Sequence, residues 1–254
     1  MTDKDRSYSY LARTFDAPTL STQEFARHLD AVAMPTWRRL HEAGVLASVE
    51  TLRKVGDIDM QTAPGPVRDW GYFVQLELGA GADIEAVLQA ERDAGLEAAL
   101  ARQPGIQYLS CEVLVRPAGA GTAIPHPSPR HRSPPANQYA GIEYIQIPNP
   151  HWDEYRGFMR DVMGPVGAQL VDEGYSYRIQ IMERARLLRW DDSLPEWNRV
   201  HILWGEFDDP DRGFLRHTSE VIRSRFGPGG DVLSTLSRTS HYRVKPRMSK
   251  NVRL

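Results

Sequence analysis

The sequence predicts an α+β protein built from two halves that share the element order βαββαβ. Three observations support this prediction. Strand-like and helix-like segments follow one another in the same order in both halves, a Pro/Gly/Ser-rich segment separates the halves, and matching elements are similarly spaced. The spacing from Trp70 to Val115 is within one residue of that from Val200 to Val244. We therefore predict two tandem ferredoxin-like domains, at residues 1–117 and 141–254, joined by a linker at residues 118–140.

The first half begins with a weak strand at "SYSYLART". The helix that follows opens with a capping box, Ser21 with Glu24. The segments "VETLRKVGDI" and "WGYFVQLELG" alternate as strands do. The next helix, "DIEAVLQAERDAGLEAALARQPG", ends at Gly105, and "IQYLSCEVLV" forms the last strand of this half.

The second half starts with the alternating strand "IEYIQIP". A helix follows from Asn149 and Pro150, and the Gly164–Pro165 pair is expected to break or kink it. Two strands, "YRIQIMERARLL" and "RVHILWGEF", come next. The amphipathic helix "DPDRGFLRHTSEVIRSRF" and a last strand, "HYRVKPR", complete the predicted order.

The composition excludes several classes of protein. The hydrophobic fraction of 41% is ordinary for a globular chain, and the formal net charge of −2 gives no basic surface for nucleic acid. A single cysteine, Cys111, excludes a disulfide framework and a cysteine-rich metal site. No apolar run is long enough to span a bilayer, and the N-terminus is polar. We expect a cytoplasmic protein that binds no metal, nucleic acid or membrane, and the sequence leaves open whether it forms a homo-oligomer.

Each βαββαβ unit carries its helices on one face of its sheet, so the other face needs cover. The sheet of the other half can provide it, which gives a two-sheet barrel within one chain. In this order of elements the chain resembles the dimeric α+β barrel superfamily in a fused form. The resemblance covers nearly the whole chain and rests on topology, not on a motif. The superfamily includes monooxygenases, isomerases, polyketide cyclases and haem-binding enzymes, so the resemblance implies small-molecule chemistry without fixing the reaction.

Strand alternation predicts which side chains of the second half share a face. The apolar set is expected beneath the helices: Ile145, Ile147, Ile179, Ile181, Val200, Ile202, Trp204, Tyr242 and Val244. The polar and basic set is expected to face the other sheet: Tyr144, Gln146, Arg178, Gln180, Met182, Arg184, His201, Leu203, His241 and Arg243. The residues of the first half that could pair with this set are Gln75, Glu77, Ser110 and Glu112. Two interpretations stay open: direct pairing between the sheets, or an enclosed pocket for a ligand.

The candidate catalytic groups come from these strands. His201 or His241 would move a proton with assistance from Tyr144. Glu206, at the end of its strand near Trp204, would serve as acid or base if it is buried. The side chains expected to bind the substrate are Arg178, Arg243, Gln146, Gln180 and Trp204.

We therefore expect a small-molecule tailoring enzyme that acts on an oxygen-rich or anionic organic substrate without a classical cofactor. The reaction would be an oxygenation, cyclisation, isomerisation or elimination. The alternative is a non-catalytic ligand-binding or interaction module. A third hypothesis is a haem-binding enzyme, because haem proteins of the superfamily use a helical histidine and His217 lies in a predicted helix.

Overall fold

A computed structural model of the chain describes residues 9–57, 70–117, 138–206, 213–228, 232, 234–235, 241–244 and 246–253. Only the backbone is described for residues 56–57, 241–244 and 246–253. None of the helices in these ranges is long and apolar enough to cross a membrane.

The first half follows the predicted βαββαβ order, with each helical segment divided in two. Its elements are β1 (Ser9–Asp16), α1 (Thr22–Val32), α2 (Met34–Glu42), β2 (Leu46–Asp57), β3 (Tyr72–Leu78), α3 (Ile84–Asp93), α4 (Leu96–Ala101) and β4 (Gln107–Val115). The predicted capping box is present: the Glu24 backbone N–H donates to the Ser21 hydroxyl, and the Ser21 N–H donates to the Glu24 carboxylate. Asp83 caps α3 in a similar way, so the polar residues before each apolar run fix where these helices begin.

The second half repeats this order. Its elements are β5 (Tyr139–Gln146), α5 (Trp152–Phe158), α6 (Gly164–Glu173), β6 (Ile179–Trp190), β7 (Arg199–Gly205), α7 (Phe214–Phe226), β8 (His241–Val244) and β9 (Pro246–Arg253). A π-helical turn, Met159–Met163, separates α5 from α6. Pro165 lies in the first turn of α6, and the predicted interruption at Gly164–Pro165 coincides with the change from the π-helical turn to α6, through which the backbone stays helical. The single strand expected at "HYRVKPR" is instead divided between β8 and β9.

The strands form one nine-stranded antiparallel sheet that closes on itself. Each half has the ferredoxin-like order, β4-β1-β3-β2 in the first, and two further pairings join the halves. In one, β4 pairs with β6 from Ser110↔Trp190 to Val115↔Glu183, and in the other β2 pairs with β9. The predicted α+β fold, with two ferredoxin-like units packed into a barrel, is confirmed. The boundaries at 1–117, 118–140 and 141–254 stay a prediction.

Three apolar layers follow from this closure. One lies beneath the helices of the first half, around Trp37, and another beneath the helices of the second half, around Tyr155. The third layer, called here the inter-sheet layer, lies between the two sheets and draws on both halves. Its members include Tyr10, Phe73, Leu114, Ile142, Tyr144, Trp197, Val200, Ile202 and Trp204.

Polar contacts cross the inter-sheet layer. Arg178 forms a buried ion pair with Glu50 of β2, in which Nη1 donates to Oε1 over 3.1 Å and Nη2 donates to Oε2. The Trp197 indole N–H donates to Glu112 over 3.1 Å. The Arg178–Glu50 ion pair is an example of direct pairing between the sheets, one of the two interpretations that the sequence left open.

The prediction of which face each strand buries was right for two strands and wrong for β7. Ile145, Ile147, Ile179 and Ile181 lie beneath the helices, as expected. Val200, Ile202 and Trp204 instead belong to the inter-sheet layer, and this turns His201 and Leu203 toward the helices. The register shows why, since Ile202 is paired with Ile142, and His201 with Glu143. Both faces of β7 are buried, so apolar alternation alone could not distinguish them.

Replacing Ile202 by Ala tests the corrected orientation. Ile202 is fully buried in the inter-sheet layer. We expect Ile202→Ala to lower the free energy of unfolding by about 2–5 kcal/mol, the usual range for truncating a packed aliphatic side chain. Leu187→Ala, at a position that is 45% exposed, is the control and should change it by less than ~0.5 kcal/mol. Urea titration measures both, and a loss below ~1 kcal/mol for Ile202→Ala would contradict the assignment.

Glu112 makes the stability of the inter-sheet layer depend on pH. Complete burial raises the pKa of the Glu112 carboxyl to about 7, although the hydrogen bond from Trp197 and the charge of Arg184 oppose the shift. The folded state therefore holds a proton that the unfolded state releases near pH 4.5. The resulting stability is fully present below that pH and is lost as the pH rises through about 7.

Glu112→Gln should remove this dependence. We expect the variant to gain roughly 2–3 kcal/mol relative to the wild-type protein when both are moved from pH 5 to pH 8, since the amide has no proton to lose. Urea titrations of both proteins at the two pH values give the difference. Glu196→Gln, at an exposed position, controls for the loss of one carboxylate. An equal stability difference at both pH values would show that Glu112 is ionised in the folded protein.

Candidate functional site

A cavity of about 310 Å³ lies in the second half, between the sheet and the helices α6 and α7. This volume is within the range of small-molecule sites. The walls are mainly apolar, and the polar side chains of Glu143 and His201 lie together in the sheet wall. The apolar wall includes Met159, Met163, Val166, Leu170, Ile181 and Leu203.

Glu143 and His201 form a buried pair. They face each other across the β5–β7 register, and His201 Nδ1 lies 3.2 Å from Glu143 Oε2. The side chains are 9% and 5% exposed respectively. A carboxylate and an imidazole thus sit side by side at the wall of an apolar cavity, where desolvation strengthens their interaction.

Arg199 fixes the tautomer of His201. Its Nε–H donates to His201 Nε2 over 3.1 Å, and a guanidinium can only donate. His201 Nε2 must therefore present its lone pair, which leaves the ring proton on Nδ1 and directed to Glu143. The Tyr155 hydroxyl also lies 3.2 Å from Nε2, and burial raises the pKa of this hydroxyl so that it stays protonated.

Glu183 compensates the charge of Arg199 and is itself held by Arg156. Its Nη1 donates to Glu183 over 2.7 Å, and Arg156 binds both oxygens of the same carboxylate. Burial acts against ionisation of Glu183, but the hydrogen bond from Arg156 and the charge of Arg199 outweigh it and lower the pKa. The carboxylates of Glu143 and Glu183 are thus matched by the guanidinium groups of Arg199 and Arg156. Because Arg199 occupies the lone pair of His201 Nε2, that nitrogen is not available to accept a proton.

The structure corrects the predicted environment of His201. The sequence placed it on a basic face toward the other sheet, whereas it lies beneath the helices with Glu143 and Tyr155. Glu206, which was considered as a second acid or base, follows β7 and is half-buried. Its backbone carbonyl accepts from the Phe214 N–H, and Glu206 does not line the cavity.

Most of the other predicted residues lie away from this cavity. Tyr144 lies in the inter-sheet layer as expected, with its ring 4.7 Å from that of Trp70, and burial raises the pKa of its hydroxyl. Arg178 and Gln180 are buried on the same side. Trp204, expected beneath the helices, also lies there, with its ring 5.9 Å from the Arg178 guanidinium.

Three more predicted residues lie at the end of β5 and in β8. Gln146 ends β5 and is half-buried. His241 and Arg243 lie in β8, where His241 is in register with Gln146 and only the backbone is described. The catalytic and binding roles of all three residues stay predictions.

Sequence reasoning missed the partners of His201, although a signal for them was present. Glu143 has the same strand parity as Ile145 and Ile147, and Glu183 the same parity as Ile179 and Ile181. Each carboxylate therefore interrupts a row of side chains that the sequence placed beneath the helices. Because a carboxylate in such a row must be paired, this pattern could have located the site.

The residues that the structure describes form no metal cluster, and the cavity around Glu143 presents no haem ligand. No group of three or more His, Cys, Asp or Glu side chains there could hold a metal ion. Haem iron requires a free imidazole, thiolate or phenolate on one face, in some proteins with a thioether on the other. The lone pair of His201 is bound by Arg199, and His217 stacks on Tyr175 and does not line the cavity. This donor set does not fit haem.

The comparisons with known proteins concern the fold. No family model and no curated protein matches the sequence. Among solved structures, a Shewanella oneidensis protein assigned as a DyP-type peroxidase is similar, with 10% identity, a TM-score of 0.58, and coverage of 96% of this chain and 92% of that one. A Fusobacterium nucleatum protein assigned as a monooxygenase has 12% identity and a TM-score of 0.53, with 98% and 94% of the two chains covered.

A chlorite dismutase variant from Candidatus Nitrospira defluvii is also similar, with 9% identity, a TM-score of 0.52, and coverage of 96% and 92%. All three similarities extend over nearly the whole of both chains. At these identities they show the fold alone and do not transfer a reaction. The closed sheet described above and these neighbours together show that the chain has the fold of a dimeric α+β barrel, with both halves of the barrel in one polypeptide.

Proposed function

We propose that this chain is a small-molecule enzyme in which the Glu143 carboxylate removes a proton from a largely apolar substrate. The observation that carries the proposal is the Glu143–His201 pair in the wall of the apolar cavity. The substrate would bind beneath α6 and α7 and present a C–H or O–H group made acidic by a neighbouring carbonyl or aromatic ring. Isomerisation, elimination, cyclisation and oxygenation can each begin with such a step.

The assignment of Glu143 as the base follows from the hydrogen bonds around it. Since Arg199 occupies the lone pair of His201 Nε2 and the Nδ1–H is directed to Glu143, the imidazole is poorly suited to accept a proton. The neutral ring can instead donate its Nδ1–H to Glu143 and hold the carboxylate in place. Glu143 is therefore the catalytic residue in this proposal, and His201, Arg199 and Tyr155 are positioning residues.

The proposed substrate differs from the oxygen-rich or anionic one expected from the sequence. Arg178, which was expected to bind its oxygens, is paired with Glu50 on the other side of the sheet. The cavity is lined mainly by aliphatic and thioether side chains. These walls favour an apolar molecule with few polar groups.

A model elimination tests whether Glu143 acts as a base. 5-Nitrobenzisoxazole is a flat, apolar compound in which loss of one C–H proton to a base breaks the N–O bond and releases a coloured phenolate. We expect the protein to accelerate this reaction above an equal concentration of acetate. Glu143→Gln should lower the rate by about 100-fold or more, the usual contribution of a positioned base. Phenolate absorbance measures the rate.

Three further variants distinguish the roles. His201→Gln should lose less activity than Glu143→Gln, since the amide can still donate to the carboxylate. Met163→Trp should block the cavity and abolish the reaction, while Glu50→Gln, at the inter-sheet ion pair, should retain it in the folded protein. A rate unaffected by both Glu143→Gln and Met163→Trp would refute the proposal.

Two other outcomes separate the competing functions. Binding of the benzisoxazole at the cavity without any acceleration would favour the non-catalytic ligand-binding module. Titration with hemin tests the remaining hypothesis, and a sharp Soret band that Met163→Trp removes would favour a haem protein. We expect no such band from the donor set of this cavity.

A further inference from the structure

A second concave site lies mainly in the first half of the chain. It is a cleft of about 540 Å³ between α3 and α4, the strands β1 and β4, and the part of β6 that pairs with β4. The wall from β6 contributes Arg186 and Leu188, so the cleft spans the junction of the two halves. It shares no lining residue with the cavity around Glu143.

Arg13 of β1 lines this cleft and is only 3% exposed. Its Nε–H donates to the Tyr108 hydroxyl over 3.1 Å, and Nη2 donates to Glu91 over 2.5 Å. The third nitrogen, Nη1, is buried and has no hydrogen-bond partner among the described residues. A buried donor left without a partner destabilises a protein, so a group of this kind points to an acceptor from outside the chain.

None of the described neighbours of Arg13 supplies that acceptor. Glu91 already accepts from Arg13 at Oε2 and from the Trp37 indole N–H at Oε1, over 2.8 Å. The face of the guanidinium lies over the Trp37 ring at 5.5 Å, which leaves only its edge for further hydrogen bonds. Both Tyr108 and Glu91 line the cleft together with Arg13, so the whole hydrogen-bonded group borders the same space.

The charges around the cleft balance. At its base, Glu91 neutralises Arg13, and at its rim Arg186 pairs with Glu85 over 2.6 Å. A bound anion would therefore have no surplus positive charge to compensate its loss of hydration. A neutral acceptor such as a carbonyl oxygen avoids this loss and still satisfies Nη1.

Much of the remaining wall is apolar and is formed by Leu88, Leu96, Leu100 and Leu188. The charged side chains of Arg92 and Glu97 lie beside them at exposed positions. Leu188 is 37% exposed although it is a large aliphatic residue, so part of this apolar surface is open to a ligand. These side chains favour a molecule that is hydrophobic apart from its acceptor.

We propose that this cleft binds a neutral, largely apolar small molecule whose carbonyl oxygen accepts a hydrogen bond from Arg13 Nη1. The site is independent of the proton-transfer site in the second half. It would hold its ligand against both halves at once, with Arg13 at the base and β6 as the outer wall.

Three aromatic probes of similar size test the proposal: acetophenone, which has a neutral carbonyl, benzoate, which is an anion, and ethylbenzene, which has no acceptor. Leucine methyl NMR of the full chain reports where each binds, because the cleft and the second-half cavity contain different leucines. We expect acetophenone to shift the methyl signals of Leu88, Leu96 and Leu100. Ethylbenzene should bind there about tenfold more weakly, since it forgoes one hydrogen bond to a charged donor, and benzoate should also bind more weakly.

Two variants provide the controls. Ala98→Trp, at an exposed position on the rim, should block the cleft without altering the core and abolish the shifts there. Signals of Leu170 and Leu203 in the second-half cavity should respond to the probes as before. Arg13→Lys keeps a positive charge next to Glu91 but removes the Nη1 donor of the planar guanidinium. The affinity for acetophenone should therefore fall to that for ethylbenzene.

Several results would overturn the proposal. Equal affinity for acetophenone and ethylbenzene in the wild-type protein would show that Nη1 plays no part. Tighter binding of benzoate would show a site for anions, and an absence of any cleft shift with acetophenone would show that carbonyl compounds do not bind. Cleft shifts that persist in Ala98→Trp would place the ligand elsewhere. None of these outcomes bears on the reaction assigned to Glu143.

Discussion

Closure of the sheet into a barrel buries most of β5 and β7 and the first five residues of β6 on both faces. A polar side chain buried there destabilises the protein unless it finds a partner inside. On the inter-sheet side, Arg178 is paired with Glu50 of the other half. On the helix side, a continuous chain of hydrogen bonds links Glu143, His201, Arg199 and Glu183. The candidate site is therefore a product of the same constraint that holds the halves together.

The two halves use one equivalent position in opposite ways. Arg13 is the fifth residue of β1, and Glu143 is the fifth residue of β5. Both side chains are directed beneath the helices of their own half, and each borders a concave site. In the first half the partner of the charge is a carboxylate from α3, and in the second it is an imidazole from β7. The same strand position thus carries a hydrogen-bond donor in the first half and an acceptor in the second. The two sites are therefore suited to different ligands.

The sequence was sufficient for the order of strands and helices, because capping residues such as Ser21 and the period-two alternation of the strands act locally. It was also sufficient for the apolar row of Ile145, Ile147, Ile179 and Ile181. The orientation of β7 was not predictable in this way, because Val200 and Ile202 on one side and Leu203 on the other are all apolar. Only the pairing of Ile202 with Ile142 decides it, and that depends on contacts distant in sequence. The identity of Glu143 as the partner of His201 depends on the same register.

The second junction between the halves joins β2 to β9, from Glu50↔Arg253 to Asp57↔Pro246. β2 lies in the first quarter of the chain and β9 is the last described strand, so their pairing has a very large sequence separation. Contacts of this kind form late, because the entropy of bringing distant segments together must first be overcome. During synthesis, the edge of β2 stays open until the last strand has been made. An open edge of this kind can pair with another chain, so newly made protein is more exposed to misassembly than the closed barrel is.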